Sequence, residues 1–245
     1  MGAGVSIAVL AGVAAIFVVA AAAQAASGFG FALLAVPLLS FLVDAKTGVV
    51  GSAVVGLGLV ALMAARDHRH VDRRAVALAV TAAVVGMPLG LLIIGRVDDA
   101  TLRTLIAVVV LGFTALLWRG LSLPDRPLTD AGAGLVSGVL STSTGTSGPP
   151  LVIAFHGKGL SPVAFRATLA MTFLIQGSIS LGGFAVTGHV TRDALAVAAA
   201  GVPGTALGWL AGQRLFERLD HERFRGVVLG MLVCSGVLTL VSALT

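Results

Sequence analysis

Ser141-Thr142-Ser143-Thr144-Gly145-Thr146-Ser147-Gly148-Pro149-Pro150 interrupts an apolar run that extends from Ala131 to Gly157. Six residues of this stretch carry hydroxyls, a concentration unusual inside so apolar a segment. Beyond the break, only nine residues remain from Pro149 to Gly157. As a helix they span about 14 Å, against a hydrocarbon core of about 30 Å. A segment this short predicts a half-helix or re-entrant hairpin, because irregular backbone inside a bilayer must be covered by protein. Pro149 and Pro150 suit the start of its second arm, where helical N–H groups have no intrahelical partner.

Working outward, Gly2–Val43 is too long for one span and is interrupted at Ala26-Ser27-Gly28-Phe29-Gly30. It predicts the same kind of element, with a longer second arm. Six further stretches are long and uncharged enough to cross a membrane, some with flanking residues: Thr47–Ala65, Ala75–Gly95, Thr104–Trp118, Ala167–Thr191, Ala194–Gln213 and Gly226–Thr245. Composition agrees. Hydrophobic residues make up 57% and charged residues 11%, where soluble domains carry about 25% charged residues. The 32 glycines suit helices that pack closely in lipid. There is no Tyr, and two Trp make a thin aromatic belt. From Met1 to Val43 there is no Lys or Arg, so this reads as a retained membrane segment and not a signal peptide. The single Cys234 reads as a helix-packing residue.

The two breaks belong to an internal repeat. Ser27-Gly28-Phe29-Gly30 aligns with Thr144-Gly145-Thr146-Ser147, Gly86-Met87-Pro88 with Gly201-Val202-Pro203, and Leu102-Arg103 with Phe224-Arg225. The expected organisation is a first membrane repeat over 1–122, a linker over 123–130 and a second repeat over 131–245. Charge orients it. With the loop Arg66–Arg74 placed inside, twelve cations fall on inner loops: Arg66, Arg69, Arg73, Arg74, Arg119, Arg126, Lys158, Arg166, Arg214, Arg218, Arg223 and Arg225. Four fall outside: Lys46, Arg96, Arg103 and Arg192. The positive-inside rule favours this orientation, as expected of a bacterial-type inner membrane, with both termini outside. The basic loop of one half then matches the poor loop of the other. The fold class expected is an all-α polytopic membrane protein of two inverted-topology repeats, each a broken or re-entrant element plus three transmembrane helices. Such repeats place a transport site near the midplane, where the breaks meet.

At Gly28-Phe29-Gly30-Phe31-Ala32-Leu33-Leu34-Ala35-Val36-Pro37-Leu38-Leu39, at Gly145-Thr146-Ser147-Gly148-Pro149-Pro150 and at Phe165-Arg166-Ala167-Thr168, the chain resembles the sulfite exporter TauE/SafE family of membrane permeases. The resemblance covers nearly the whole chain. It implies transport of small sulfur-containing or organic anions such as sulfite, sulfoacetate or other sulfonates. It selects neither the anion nor the direction of movement.

The residues themselves supply candidates. Thr142, Ser143, Thr144, Gly145, Thr146, Ser147 and Gly148 offer hydroxyls and exposed backbone N–H groups at a helix start, which suit an anion. Gln24, Ser27, Gly28 and Gly30 form the mirror site. The bland alternative is that these hydroxyls satisfy freed backbone and join helices. Arg166, at the head of a span, is either an oxyanion ligand or a topology charge. Gln176, deep in the same span, is either a site residue or a helix–helix bond. His156 is a candidate for proton coupling or else an interfacial residue. His68, His70 and His221 read as solvated loop residues. Pro37, Pro88 and Pro203 read as bends or ends of helices.

No His/Cys/Asp/Glu cluster has metal-ligand spacing, and no nucleotide-binding loop is present. The expected partners are therefore a small anion, a possible coupling proton and membrane lipid, with no nucleic acid, metal or cofactor. Three rivals stand beside the permease reading. One is a passive anion channel. Another is a rhomboid-like serine protease using Ser147, disfavoured because no His lies in the middle of a later span. The third is a purely structural scaffold, which leaves the hydroxyl-rich break unexplained. The topology has a direct check. A reporter inserted in the loop Arg66–Arg74 is expected to read cytoplasmic, and one in the loop Gly188–Asp193 to read external. Equal readings at the two loops would overturn the inversion.

Overall fold

The computed structural model describes residues 7–216 and 221–244, all in helices and short connections. Ten α-helices follow one another: α1 (Ile7–Ser27), α2 (Phe31–Leu39), α3 (Ala45–Asp67), α4 (Arg73–Arg96), α5 (Asp99–Trp118), α6 (Pro127–Ser143), α7 (Gly148–His156), α8 (Pro162–Val186), α9 (Arg192–Phe216) and α10 (His221–Leu244). A 3-10 turn, His68–His70, joins α3 to α4. Among the described residues, six helices are long and apolar enough to cross a membrane: α1, α3, α4, α5, α8 and α9. Arg218, Met1 and Thr245, used in the topology argument, lie outside the described residues.

The ends of these helices follow from local chemistry. Asp44, Asp72, Asp98 and Ser161 cap α3, α4, α5 and α8 by accepting from first-turn N–H groups. At Asp98 those bonds hold the carboxyl below its usual range. Gly28 and Gly145 stop α1 and α6 with φ of 83° and 71°, a left-handed conformation that glycine adopts without the clash a Cβ introduces.

Both broken elements pair a long first arm with a nine-residue second arm, α2 and α7. This corrects the expectation of a longer second arm in the first element. The apolar tail Phe41–Val43 is turn, because Asp44 already begins α3. Likewise the apolar stretch Ala167–Thr191 overruns its helix. α8 ends at Val186, and Gly188 turns the chain at φ 76°. Pro127–Asp130, assigned above to the linker, forms the first turn of α6. Pro37, Pro88 and Pro203 lie inside α2, α4 and α9. Cys234 is exposed on α10 and does not pack between helices.

Packing exchanges partners between the halves. The principal contacts are α1 with α9, α4 with α6, α5 with α10, and α3 with both α8 and α9. With α4 against α8, this set maps onto itself when α1–α5 are exchanged with α6–α10. Each long arm therefore docks on a helix of the other half. Glycines make both dockings possible. Gly204, Gly208 and Gly212 of α9 lie against the carbonyls of Ala14, Val18 and Ala22 of α1. Gly134 and Gly138 of α6 lie against the carbonyls of Ala79 and Ala83 of α4, while Gly86 and Gly90 of α4 lie against Leu135 and Val139. The four-residue spacing keeps the small residues on one face and lets the backbones approach. Both pairs run parallel. α3 and α8 run antiparallel instead, since Leu57 meets Gly177 while Asp72 N–H donates to Thr168 Oγ1.

The charged connections gather at two ends. At one, the α3–α4 connection meets the first turns of α8 through that Asp72–Thr168 bond. At the other, the start of α3 meets the start of α5, where Ala45 N–H donates to Asp99. The first will be called the basic end. There Lys158, just beyond α7, pairs with Asp125 of the connection and, at 3.0 Å, with Asp130 of α6. Burial pulls the Lys158 ammonium down, but its bonds to the two carboxylates hold it above its usual value. Leu123 N–H donates to Ile153 O, tying the same connection under α7.

Two outcomes follow for stability. Gly138→Val drives a side chain into the Ala83 carbonyl and is expected to cost about 1–3 kcal/mol. Gly112→Val, with no atom within 4 Å of its Cβ position, is expected to be near neutral. Thermal unfolding of the purified protein compares them. Lys158→Met leaves Asp130 buried without its cation and is expected to cost about 3–5 kcal/mol, and the double variant Lys158→Met/Asp130→Leu should recover part of that loss.

Candidate functional site

The two breaks meet inside the bundle. A Cβ built at Gly148 would lie 3.8 Å from Phe29 Cβ, and one at Gly145 3.4 Å from Val36 of α2. Break one thus lies against the start of α7, and break two against the flank of α2. The equivalence between them holds at one constant offset, 117 positions from Gly28 to Gly145. The same offset relates the starts of α2 and α7, Phe31 and Gly148, and of α3 and α8, Ala45 and Pro162.

At break one Gln24, 2% exposed, acts as a splint. Its Nε2 donates to Gly28 O at 3.2 Å and its Oε1 accepts from Phe31 N–H at 3.0 Å. It replaces backbone bonds that the break interrupts. Ser27 Oγ lies 2.7 Å from Ala23 O and accepts from Phe29 N–H. Gly30, with φ 104°, precedes α2. Arg166, in the first turns of α8, reaches across and donates from Nη2 to Ala25 O at 2.9 Å.

Break two is richer in hydroxyls, and much of that richness serves the backbone. Thr142 Oγ1 lies 2.8 Å from Met87 O and 3.1 Å from Gly138 O, with one proton for the two, and Ser143 donates to Val139 O. Thr144 and Thr146 share a hydrogen bond of 2.7 Å, and both are buried. Ser147 is engaged through its carbonyl, which Ser137 Oγ approaches at 2.9 Å. No histidine is bonded to Ser147 among the described residues. His156 stands apart at the exposed end of α7, edge-on to Phe165 at 6.5 Å.

From α8, sequence reasoning chose Arg166 and Gln176. The helix in fact carries four polar residues at four-residue steps: Thr168, Thr172, Gln176 and Ser180, all 2% exposed or less. Such spacing puts them on one face. Ser180 bonds Ser141 of α6 at 2.7 Å. Gln176 Oε1 lies 3.0 Å from Ser137 Oγ, which has one proton for that oxygen and for Ser147 O. Gln176 Nε2 is buried with no hydrogen-bond partner among the described residues. A buried amide end left unpaired is costly, so polar capacity here exceeds the protein's own demand. Ser137, Thr168, Thr172 and Ser180 were missed because isolated hydroxyls in helices usually bond their own backbone, as Thr172 does to Thr168 O. The signal that finds them is the four-residue spacing on α6 and α8.

The polar row of α8 has no polar counterpart in α3. Shifted by 117, the α8 positions fall on Gly51, Val55, Leu59 and Met63 of α3, and Ser137 falls on Ala20. The contact Ser141–Ser180 has its equivalent in Gln24–Met63, where Gln24 Nε2 lies 3.9 Å from the sulfur. One frame is therefore lined by polar groups on one side and apolar groups on the other.

The family model for the sulfite exporter TauE/SafE matches residues 13–239. The chain is 28% identical over 236 residues to the "Probable sulfite/organosulfonate exporter TauE" of Cupriavidus necator, covering 91% of this chain and 90% of that protein. No solved structure matches. The match spans both breaks and all ten helices in whole or part, and on it the chain belongs to the sulfite exporter TauE/SafE family of membrane proteins.

Proposed function

We propose that this protein is a secondary permease of a bacterial-type inner membrane that moves sulfite or small organosulfonates. In this reading a single anion binds between break two and the polar face of α8. The relative in Cupriavidus necator carries an exporter name for the same class of anion, which supports the substrate class and suggests outward movement.

The observation that carries the site is the unpaired buried Nε2 of Gln176, whose Oε1 shares the Ser137 hydroxyl with the carbonyl of Ser147. The neighbouring pair Ser141 with Ser180 uses one hydrogen bond between two hydroxyls, while Thr144, which shares a bond with Thr146, also reaches Leu140 O at 3.3 Å. A donor can therefore be turned toward a bound oxyanion. Sulfite and sulfonate present several acceptor oxygens and no obligatory donor, which matches such a lining. Gln24 and Thr142, whose groups are committed to the backbone, act as supports for the breaks. Thr146 and Gln176 are the ligands proposed.

The mechanism is alternating access. The exchange of helices between halves and the antiparallel α3–α8 pair support two inverted repeats, bounded near 1–122 and 131–245. One half rocks against the other, and the buried cluster is reached from each end in turn. A proton is the proposed coupling ion. His156 enters this scheme only as a surface group at the basic end.

The test is transport into proteoliposomes of radiolabelled sulfite and a series of alkanesulfonates, with and without a proton gradient. Uptake that exceeds equilibrium when a gradient is imposed is expected of the permease. Dissipation of the anion gradient alone would indicate a channel. Gln176→Leu and Thr146→Val each remove a donor to a charged ligand, worth about 1.5–3 kcal/mol, so the apparent KM should rise about tenfold or more. Transport unchanged in both variants would displace the site from α8.

A further inference from the structure

Two contacts at the breaks are equivalent by the 117-residue offset, yet chemically opposite. A Cβ at Gly28 would lie 2.7 Å from Cγ of Arg166, and one at Gly145 would lie 3.3 Å from Cγ1 of Val49. Val49 and Arg166 occupy the same place in α3 and α8. Each break glycine is thus covered by a side chain from the opposite half, near the start of the helix that follows that half's own hairpin. Any motion of one half against the other has to part these contacts.

We propose that Arg166 is an anion-responsive latch closing break one at the basic end, and that Val49 is its uncharged counterpart at break two. The inference rests on the reading of the protein as an anion permease. The latch is the bond from Arg166 Nη2 to Ala25 O, a carbonyl in the last turn of α1. Carbonyls there lack helical partners and lie at the negative end of the helix dipole, so a guanidinium is well placed to hold them. A sulfonate is a stronger acceptor than a neutral carbonyl for the same donor. Arriving at the basic end, it competes for the guanidinium and releases α1. The closed state keeps the cation on Ala25, and the open state offers it to the anion. That difference between states is what allows a ligand to shift the equilibrium. Val49 has no such preference, so the second gate parts without sensing charge. The anion is therefore read at one end only.

Thr172, fully buried on the polar face of α8 with its hydroxyl on Thr168 O, reports access to the cluster. Thr172→Cys in a Cys234→Ser background is exposed to a membrane-impermeant maleimide in inverted and in right-side-out vesicles. Labelling is expected to be slow from both faces. Methanesulfonate should speed it about tenfold or more from the basic-end face alone, the scale set by a charge-assisted bond. Adding Arg166→Ala should give fast labelling from that face without any anion and abolish the response. Arg166→Lys keeps a cation, should restore slow labelling, and serves if the alanine variant does not assemble. Val49→Ala should speed labelling from the opposite face only. Labelling of the Arg166→Ala protein as slow as its parent overturns the latch. A parent that transports methanesulfonate, yet whose labelling it leaves unchanged, overturns the anion response. If no sulfonate is transported while Arg166→Ala still opens the basic end, the latch stands and the substrate reading falls.

Discussion

The approach of glycine to carbonyl across α1–α9 and α4–α6 is the constraint on which the remaining structure depends. Lipid offers helices no hydrophobic incentive to associate, so contact area and backbone proximity decide. Gly134, Gly138, Gly204, Gly208 and Gly212 each sit where an added Cβ would press on a neighbouring carbonyl group. With the long arm of each hairpin seated on the other half, α2 and α7 are held inside the bundle. Their exposed backbone ends are then satisfied by Gln24, Ser137 and Ser27. Remove the close seams and the breaks lose the cover that makes them tolerable in a membrane.

Much of this is legible in the sequence, for physical reasons. A nine-residue apolar piece bounded by Pro149 cannot cross a bilayer, and α7 is nine residues long. Long uncharged stretches became helices because lipid forces every backbone group into internal bonds. The misjudged boundaries lie where capping competes with hydrophobicity. Asp44 starts α3 early, and Gly188 ends α8 before its apolar run is exhausted. Hydropathy does not see a cap.

The site was legible only in part. The hydroxyl-rich break announced itself by composition. Ser137 and Ser180 did not, because a hydroxyl in a helix is ordinary until its neighbour on another helix is known. Arg166 could be placed at the head of a span, but Ala25, its partner across 141 positions, could not. Contacts between halves depend on which helices exchange, and no local pattern records that.

That the polar row of α8 has no polar counterpart in α3 has a consequence for how such proteins diversify. In the proposed reading the two halves are copies of one frame, and the frame's tolerances lie in its glycine seams. In the proposed reading the cargo site is lined elsewhere, by the buried residues at positions 168, 172, 176 and 180 of a single helix and 137 and 141 of another. Substitutions there would retune selectivity without disturbing the seams. On that reading, a change of anion would need substitutions at only a handful of sites in one half, with the frame of the other left as it is.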